Sequence, residues 1–259
     1  MRGRSEPARM VMDRVGAADG AYAPGDTVAL FIPCYIDVLY PSVGKAVVTV
    51  LEQLGVRLAY PAEQTCCGQP AFNGGHWPQA RELAARFAEI FSSFRWIVVP
   101  SGSCGAMAKR FYSVLDSGSA AAALGARVFD LATFLVDILG VVDVGARFPH
   151  SVTMLDGCHG RRELGCTDAA RTLLRAVDGI DYRELPAIEE CCGFGGLFSV
   201  KYDALSTSMG DAKCRHALWT GAEYLVSGDA SCLMHVGGML EHRGAALKTL
   251  HLAEVLASR

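Results

Sequence analysis

The chain has 259 residues, 51% of them hydrophobic and 20% charged, with a formal net charge of -3. That is enough apolar surface for a full core, and the charge gives no electrostatic reason to bind nucleic acid or an anionic membrane surface. Arg2, Arg4 and Arg9 stand near the N-terminus without an apolar run, so residues 1–25 read as a flexible tail rather than a secretory signal. The longest apolar segment, Leu131 to Val144, is interrupted by Asp137 and Asp143 and is too short to span a bilayer. A cytoplasmic protein without a membrane span is expected, and extracellular disulfides do not account for its ten cysteines.

Val28 to Ile32 is a continuous apolar run of the kind that forms a buried parallel strand, and it ends at Pro33-Cys34. Ser42 is the expected cap of a helix running to about Leu54, stopped by Gly55. Val56 to Tyr60 reads as a second strand, followed by a loop with Cys66-Cys67-Gly68 and an amphipathic helix from Trp77 to Phe91. Trp96 to Val99 is a third strand, ending in Pro100-Ser101-Gly102-Ser103-Cys104 with a helix behind it. Val128 to Asp130 and a helix from Thr133 to Leu139 close the first half. The second half retraces this path: a strand at Val152 to Leu155 ending at Cys158, a basic helix from Arg161 to Val177, and a strand near Ile180 to Leu185 before Cys191-Cys192-Gly193. A helix from Tyr202 to Trp219, a strand at Glu223 to Val226 ending at Cys232, a strand at Thr249 to Leu252 and a terminal helix at Ala253 to Leu256 follow. The expected architecture is α/β, with two similar parallel-sheet lobes, 26–147 and 148–259, related by a pseudo-twofold axis.

Eight cysteines belong to one pattern written twice. Cys34, Cys66, Cys67 and Cys104 recur as Cys158, Cys191, Cys192 and Cys232, displaced by 124, 125, 125 and 128 residues. Each position lies just past a strand, and in a parallel sheet such loops gather at the carboxyl edge, so residues distant in sequence converge there. A thiolate-rich site selects iron–sulfur clusters, zinc or copper(I). Structural zinc usually draws on Cys-x-x-Cys knuckles, whereas here the ligands are far apart and include an adjacent pair, which suits neighbouring irons of one cluster. Gly68, Gly193, Gly195 and Gly196 let the backbone approach closely, adopt positive φ and aim N–H groups at cluster sulfurs. Helices starting after Cys34, Cys104 and Cys232 would direct their positive ends at the same site.

Other features have plainer readings. Cys166 and Cys214 fall within expected helices outside the pattern, and a buried free cysteine packs as a small hydrophobe. His159 and His235 stand near the expected cluster edge, where a hydrogen bond or proton relay competes with an ordinary structural role, and His76 reads as structural. Arg161, Arg162, Arg171 and Arg175 form a basic helical face, solvated by default, with docking of an acidic partner or carboxylate as the alternative. Gly193-Phe194-Gly195-Gly196-Leu197-Phe198 lacks the third glycine and the downstream acid of a dinucleotide fingerprint. Ser101 to Gly105 has the outline of a nucleophile elbow, but the duplicated pattern accounts for Cys104 better.

The doubled Cys…Cys-Cys-Gly…Cys pattern resembles the "CCG" domains of the heterodisulfide reductases and of the glycolate oxidase iron–sulfur subunit. The run from Cys191 to Lys201, the run from Ser227 to Gly238, and His251 to Leu256 are closer still to the lactate-utilisation protein A family. That resemblance implies an iron–sulfur oxidoreductase subunit that helps oxidise L-lactate to pyruvate, with Cys34, Cys66, Cys67, Cys104, Cys158, Cys191, Cys192 and Cys232 as metal ligands. It also implies a ferredoxin-like iron–sulfur partner and a third small protein. The heterodisulfide reductase pattern ends each set with Cys-x-x-Cys, for a noncubane cluster. Here Ser101 and Asp229 occupy the earlier of those positions, so one or two conventional [4Fe–4S] clusters are expected instead. The alternatives are a zinc-binding scaffold for redox partners and a disulfide-reducing subunit.

Overall fold

The computed structural model describes residues 21–116 and 118–259. Of the expected N-terminal tail, residues 1–20 lie outside these, and Tyr22 packs against Trp96 and Phe134, with ring centroids 6.3 and 6.1 Å apart. The protein is α/β, with two four-stranded parallel sheets that repeat one another. Strands β1 (Thr27–Leu30), β2 (Arg57–Ala59), β3 (Trp96–Val99) and β4 (Val128–Asp130) pair in the order β2-β1-β3-β4. Strands β5 (Ser151–Met154), β6 (Asp181–Arg183), β7 (Tyr224–Ser227) and β8 (Lys248–His251) pair as β6-β5-β7-β8. Even the register repeats. Val28 stands opposite Leu58 and Trp96, as Val152 stands opposite Tyr182 and Tyr224.

The central strands are apolar throughout because both of their faces are covered. Val28 and Leu30 point into one core and Ala29 and Phe31 into another, the alternation that a pleated strand imposes. The first of these cores is shared: Val152, Met154, Leu252, Val255 and Leu256 of the second half join Val28, Val47, Val50 and Leu51 of the first. The closing helices cross over between lobes. Helix Leu252–Leu256 packs on helix Pro41–Gln53, and Leu131–Thr133 packs against Thr167–Ala176. Each large side chain so buried contributes roughly 1.5–3 kcal/mol.

Helix Trp77–Phe91 has the expected bounds. Elsewhere the structure corrects local expectations. Cys34 itself opens a short helix, Cys34–Leu39, and the next helix begins at Pro41 rather than at a Ser42 cap. Proline is favoured at a first helical position because its missing N–H would lack a partner there anyway. The expected helix from Arg161 to Val177 is two segments, a wide turn at Gly160–Leu164 and a helix at Thr167–Ala176. The break falls at Gly165, which takes φ of 70°. Cys166 therefore lies between helices, not within one. Among the described residues no helix is long and apolar enough to cross a membrane.

Candidate metal centre

In a sheet ordered β2-β1-β3-β4 the crevice beyond the strand ends opens where the order reverses, between β1 and β3. Cys34 follows β1 and Cys104 follows β3, and in the second sheet Cys158 follows β5 and Cys232 follows β7. The adjacent pairs arrive from the loops after the edge strands β2 and β6. All eight thiols line one cavity of about 640 Å³ between the lobes. The two sets therefore face a common space rather than two separate surfaces.

Within it the sulfurs are grouped in contact. Cys67 lies 3.4 Å from Cys104, Cys192 lies 3.1 Å from Cys232, and Cys191 lies 3.8 Å from Cys158. Cys67, Cys104, Cys192 and Cys232 are buried, Cys66, Cys158 and Cys191 are half-buried, and Cys34 is exposed at the rim. Among the described residues no group of three or more cysteines, histidines or carboxylates is arranged to hold a single ion. The donor set, soft thiols beside a largely apolar hollow, is of the kind that holds a thiophilic metal or a cluster.

The glycines do what their positions demand. The Gly68 and Gly193 N–H groups each donate to the first sulfur of their pair, at 3.4 Å to Cys66 and 3.4 Å to Cys191. Gly193 takes φ of 88°, and a Cβ there would come within 2.6 Å of the Ser206 carbonyl. Only glycine fits that turn. Gly195 and Gly196 line the cavity, whereas Gly68 borders it from the loop behind Cys67.

These contacts divide the thiols into donors and acceptors. Hydrogen bonds from Cys34 and then Cys67, with the Gly68 N–H, pull the Cys66 thiol down to about 3 against the effect of burial. Cys158 and then Cys192, with the Gly193 N–H and Arg162, pull Cys191 down to about 2. Cys34, Cys67, Cys158 and Cys192 are pushed up, chiefly by these same bonds and by burial. The first cysteine of each adjacent pair is thus the one drawn toward the thiolate form, which binds metal.

Ser101 and Asp229, the positions where a further cysteine was missing, form the seam between the lobes. They bridge as isolated antiparallel partners. Asp229 caps its own helix by accepting from Ser231 N at 3.1 Å, and it caps the opposite lobe's helix by accepting from Ser103 N at 2.7 Å. Ser101 caps the first-lobe helix by accepting from Cys104 N at 3.2 Å. The Tyr35 hydroxyl lies 3.1 Å from both the Ser101 hydroxyl and the Asp229 carboxylate. Serine and aspartate are N-cap residue types, a sequence signal that could have found this role; nothing in the sequence marked Tyr35.

Of the remaining candidates, His159 lines the cavity, with Nδ1 3.3 Å from Gln69 Nε2. His235 lies off the cavity beside Ser206, and His76 precedes the helix Trp77–Phe91. Cys214 is wholly buried as expected of a packing residue. The basic face is divided: Arg162 and Arg175 are exposed, as expected, whereas Arg171 is not. Arg171 is buried in a bidentate pair with Asp156, at 3.1 and 2.9 Å, and also meets Glu184. Arg161 and Arg162 hold Glu189 beside the second cysteine pair, and Arg175 lies over the Tyr182 ring.

The family described as cysteine-rich domain (CCG) matches residues 28–109 and 152–237. Lactate utilization protein A 1 of Bacillus cereus (strain AH820) is 43% identical over 236 residues, covering 90% of this chain and 99% of that protein. Lactate utilization protein A of Bacillus thuringiensis (strain Al Hakam) is similar to the same extent. Among solved structures, glutamate racemase from Francisella tularensis is alike at a TM-score of 0.36 and 11% identity, covering 91% of this chain and 79% of that one.

Proposed function

The chain belongs to the lactate utilization protein A family of CCG cysteine-rich proteins, and from that premise we propose that it is the iron–sulfur subunit of an L-lactate-oxidising system. The observation that carries this reading is the gathering of eight thiols, from six separate loops, around one cavity. Cys158, Cys191, Cys192 and Cys232 would hold one cluster and Cys34, Cys66, Cys67 and Cys104 a second. When bound, such a cluster supplies one-electron storage and transfer.

The chain's own residues prepare the place. The pKa values of Cys66 and Cys191 are drawn down by their neighbours, which favours the metal-binding thiolate form there. The Gly68 and Gly193 N–H groups neutralise charge on those sulfurs. Ser101 and Asp229 fix the helix starts that carry Cys104 and Cys232. Oxidation of a 2-hydroxy acid to a 2-oxo acid releases two electrons and two protons, and two thiol sets facing one cavity provide two places for one-electron carriers. The name of the relatives, with its final letter, supports a system of several proteins, in which we place a ferredoxin-like iron–sulfur partner and a third small protein in the cytoplasm.

Anaerobic purification tests the reading. The expected product is brown, with iron, acid-labile sulfide and an EPR signal on reduction; colourless protein with stoichiometric zinc would favour a scaffold instead. Cys192→Ser is expected to cost the second set its metal and Cys214→Ser to spare it. A deletion strain growing normally on lactate as sole carbon source would remove the metabolic part of the assignment.

A further inference from the structure

Two equivalent helices lie beneath the two cysteine pairs, Trp77–Phe91 in the first lobe and Asp203–Trp219 in the second. Their alignment can be read from the glycine after each pair. A Cβ on Gly68 would meet the Ala80 carbonyl and Leu83 Cβ; one on Gly193 would meet the Ser206 carbonyl and Met209 Cβ. Ala80 therefore corresponds to Ser206 and Leu83 to Met209, and one turn further along Phe87 corresponds to Lys213.

The two environments are opposite in kind. Phe87 is buried among Phe31, Phe91 and Tyr112, with ring centroids 5.1, 4.6 and 5.5 Å away. Lys213 is only 1% exposed, and its ammonium donates to the carbonyl of Ala187, in the segment leading to Cys191. Ala187 takes φ of 51°, rare for a residue with a Cβ. Burying an ammonium costs several kcal/mol unless nearby charge offsets it. Burial lowers the Lys213 pKa, while Glu190, Cys192, Asp156 and Cys191 draw it back up. The first lobe shows that this fold accepts an aromatic ring at the equivalent place, so packing alone does not call for a lysine.

We propose that Lys213 is a built-in counter-charge for the second cysteine set, absent from the first, which makes the second site hold negative charge more readily. The two centres of the shared cavity are then unequal. The second retains its thiolate-bound metal more firmly and is the easier to reduce, so an electron entering the cavity comes to rest in the second lobe. This rests on reading both cysteine sets as thiolate metal centres.

The test compares the full chain with Lys213→Met, Lys213→Arg and, as a packing control, Phe87→Met, each checked for a native melting transition. Single Cys67→Ser and Cys192→Ser variants assign the metal and EPR signals to a lobe. Metal release to a chelator is followed first, because it reads iron or zinc alike. Lys213→Met is expected to speed release from the second set about tenfold and leave the first unchanged, while Lys213→Arg stays near wild type. In reductive titration Lys213→Met is expected to disfavour reduction about tenfold at the second site alone, a downward shift of about 59 mV for a one-electron centre. Equal changes in both sets, or none in the second, would overturn the proposal, as would a Lys213→Arg as defective as Lys213→Met. Zinc in place of iron would sink the redox reading of the protein but leave the release comparison to decide on Lys213. A chain that takes up no metal ends both.

Discussion

At the scale of single residues, the adjacent cysteines are chemically unlike although neighbours in sequence. Cys66 and Cys191 are half-buried with pKa values drawn down, whereas Cys67 and Cys192 are buried with theirs pushed up. In metal-free protein, iodoacetamide followed by peptide mass spectrometry is expected to label Cys66 and Cys191 before their neighbours. A lowered pKa keeps the thiolate present at every pH above it, so labelling of these two should persist far below the ordinary thiol value of about 8.5. Labelling that falls away near that value would show that the donor–acceptor order is wrong. The sequence identified these eight positions by their repetition but could not say which sulfur carries the charge, since that depends on contacts between loops. Asp229 is a second case. The sequence marked it only as standing where a cysteine is missing; its cap on Ser231 and its bond to Ser103 of the other lobe came from the structure. Asp229→Ala leaves Tyr35, Ser101, Ser103 and Ser231 short of a partner and is expected to cost about 2–4 kcal/mol in urea unfolding, more than the ~1 kcal/mol of an ordinary cap.

At the scale of elements, the pattern of apolar residues carried most of the helices and strands. Trp77–Phe91 is amphipathic over four turns, so its period was plain. Cys34–Leu39, Gln69–Asn73 and Leu197–Lys201 are five or six residues long, too short to show a period, and they form because a cysteine loop must turn back toward the cavity. The last helix, Leu252–Leu256, is equally short but is held by a capping box: Ala253 N donates to His251 Nδ1 at 3.1 Å and His251 N donates to Glu254 at 3.0 Å. Burial holds the His251 pKa below its ordinary value of 6.5, so the folded protein keeps it neutral where the unfolded chain takes up a proton. The sign follows: stability is lost as pH falls from 6.5 toward the lowered pKa, at a limiting slope of about 1.4 kcal/mol per pH unit for one proton. His251→Asn keeps a capping acceptor without titrating, and its unfolding free energy is expected to lose this component of the acid slope. An unchanged slope in that variant would mean that other groups set it.

At the scale of the whole molecule, the two lobes are duplicated but not independent. Helix Leu252–Leu256 completes the core around Pro41–Gln53, and the shared core draws on both sheets. Heat or urea is therefore expected to unfold the chain in one transition, with near- and far-ultraviolet dichroism coincident, and residues 26–147 expressed alone should lack a cooperative transition. Two separated transitions would show lobes that stand by themselves. What the sequence settled alone was the α/β class, the duplication and the repeated cysteine pattern, because burial periodicity and motif spacing are local properties that survive being written in one dimension. What only the tertiary structure decided was that both sets of thiols face one cavity, that Ser101 and Asp229 join the lobes, and that Lys213 stands where the first half has Phe87. Those are relations between segments more than a hundred residues apart, and they exist only once the apolar faces of the two sheets have been buried against a common core.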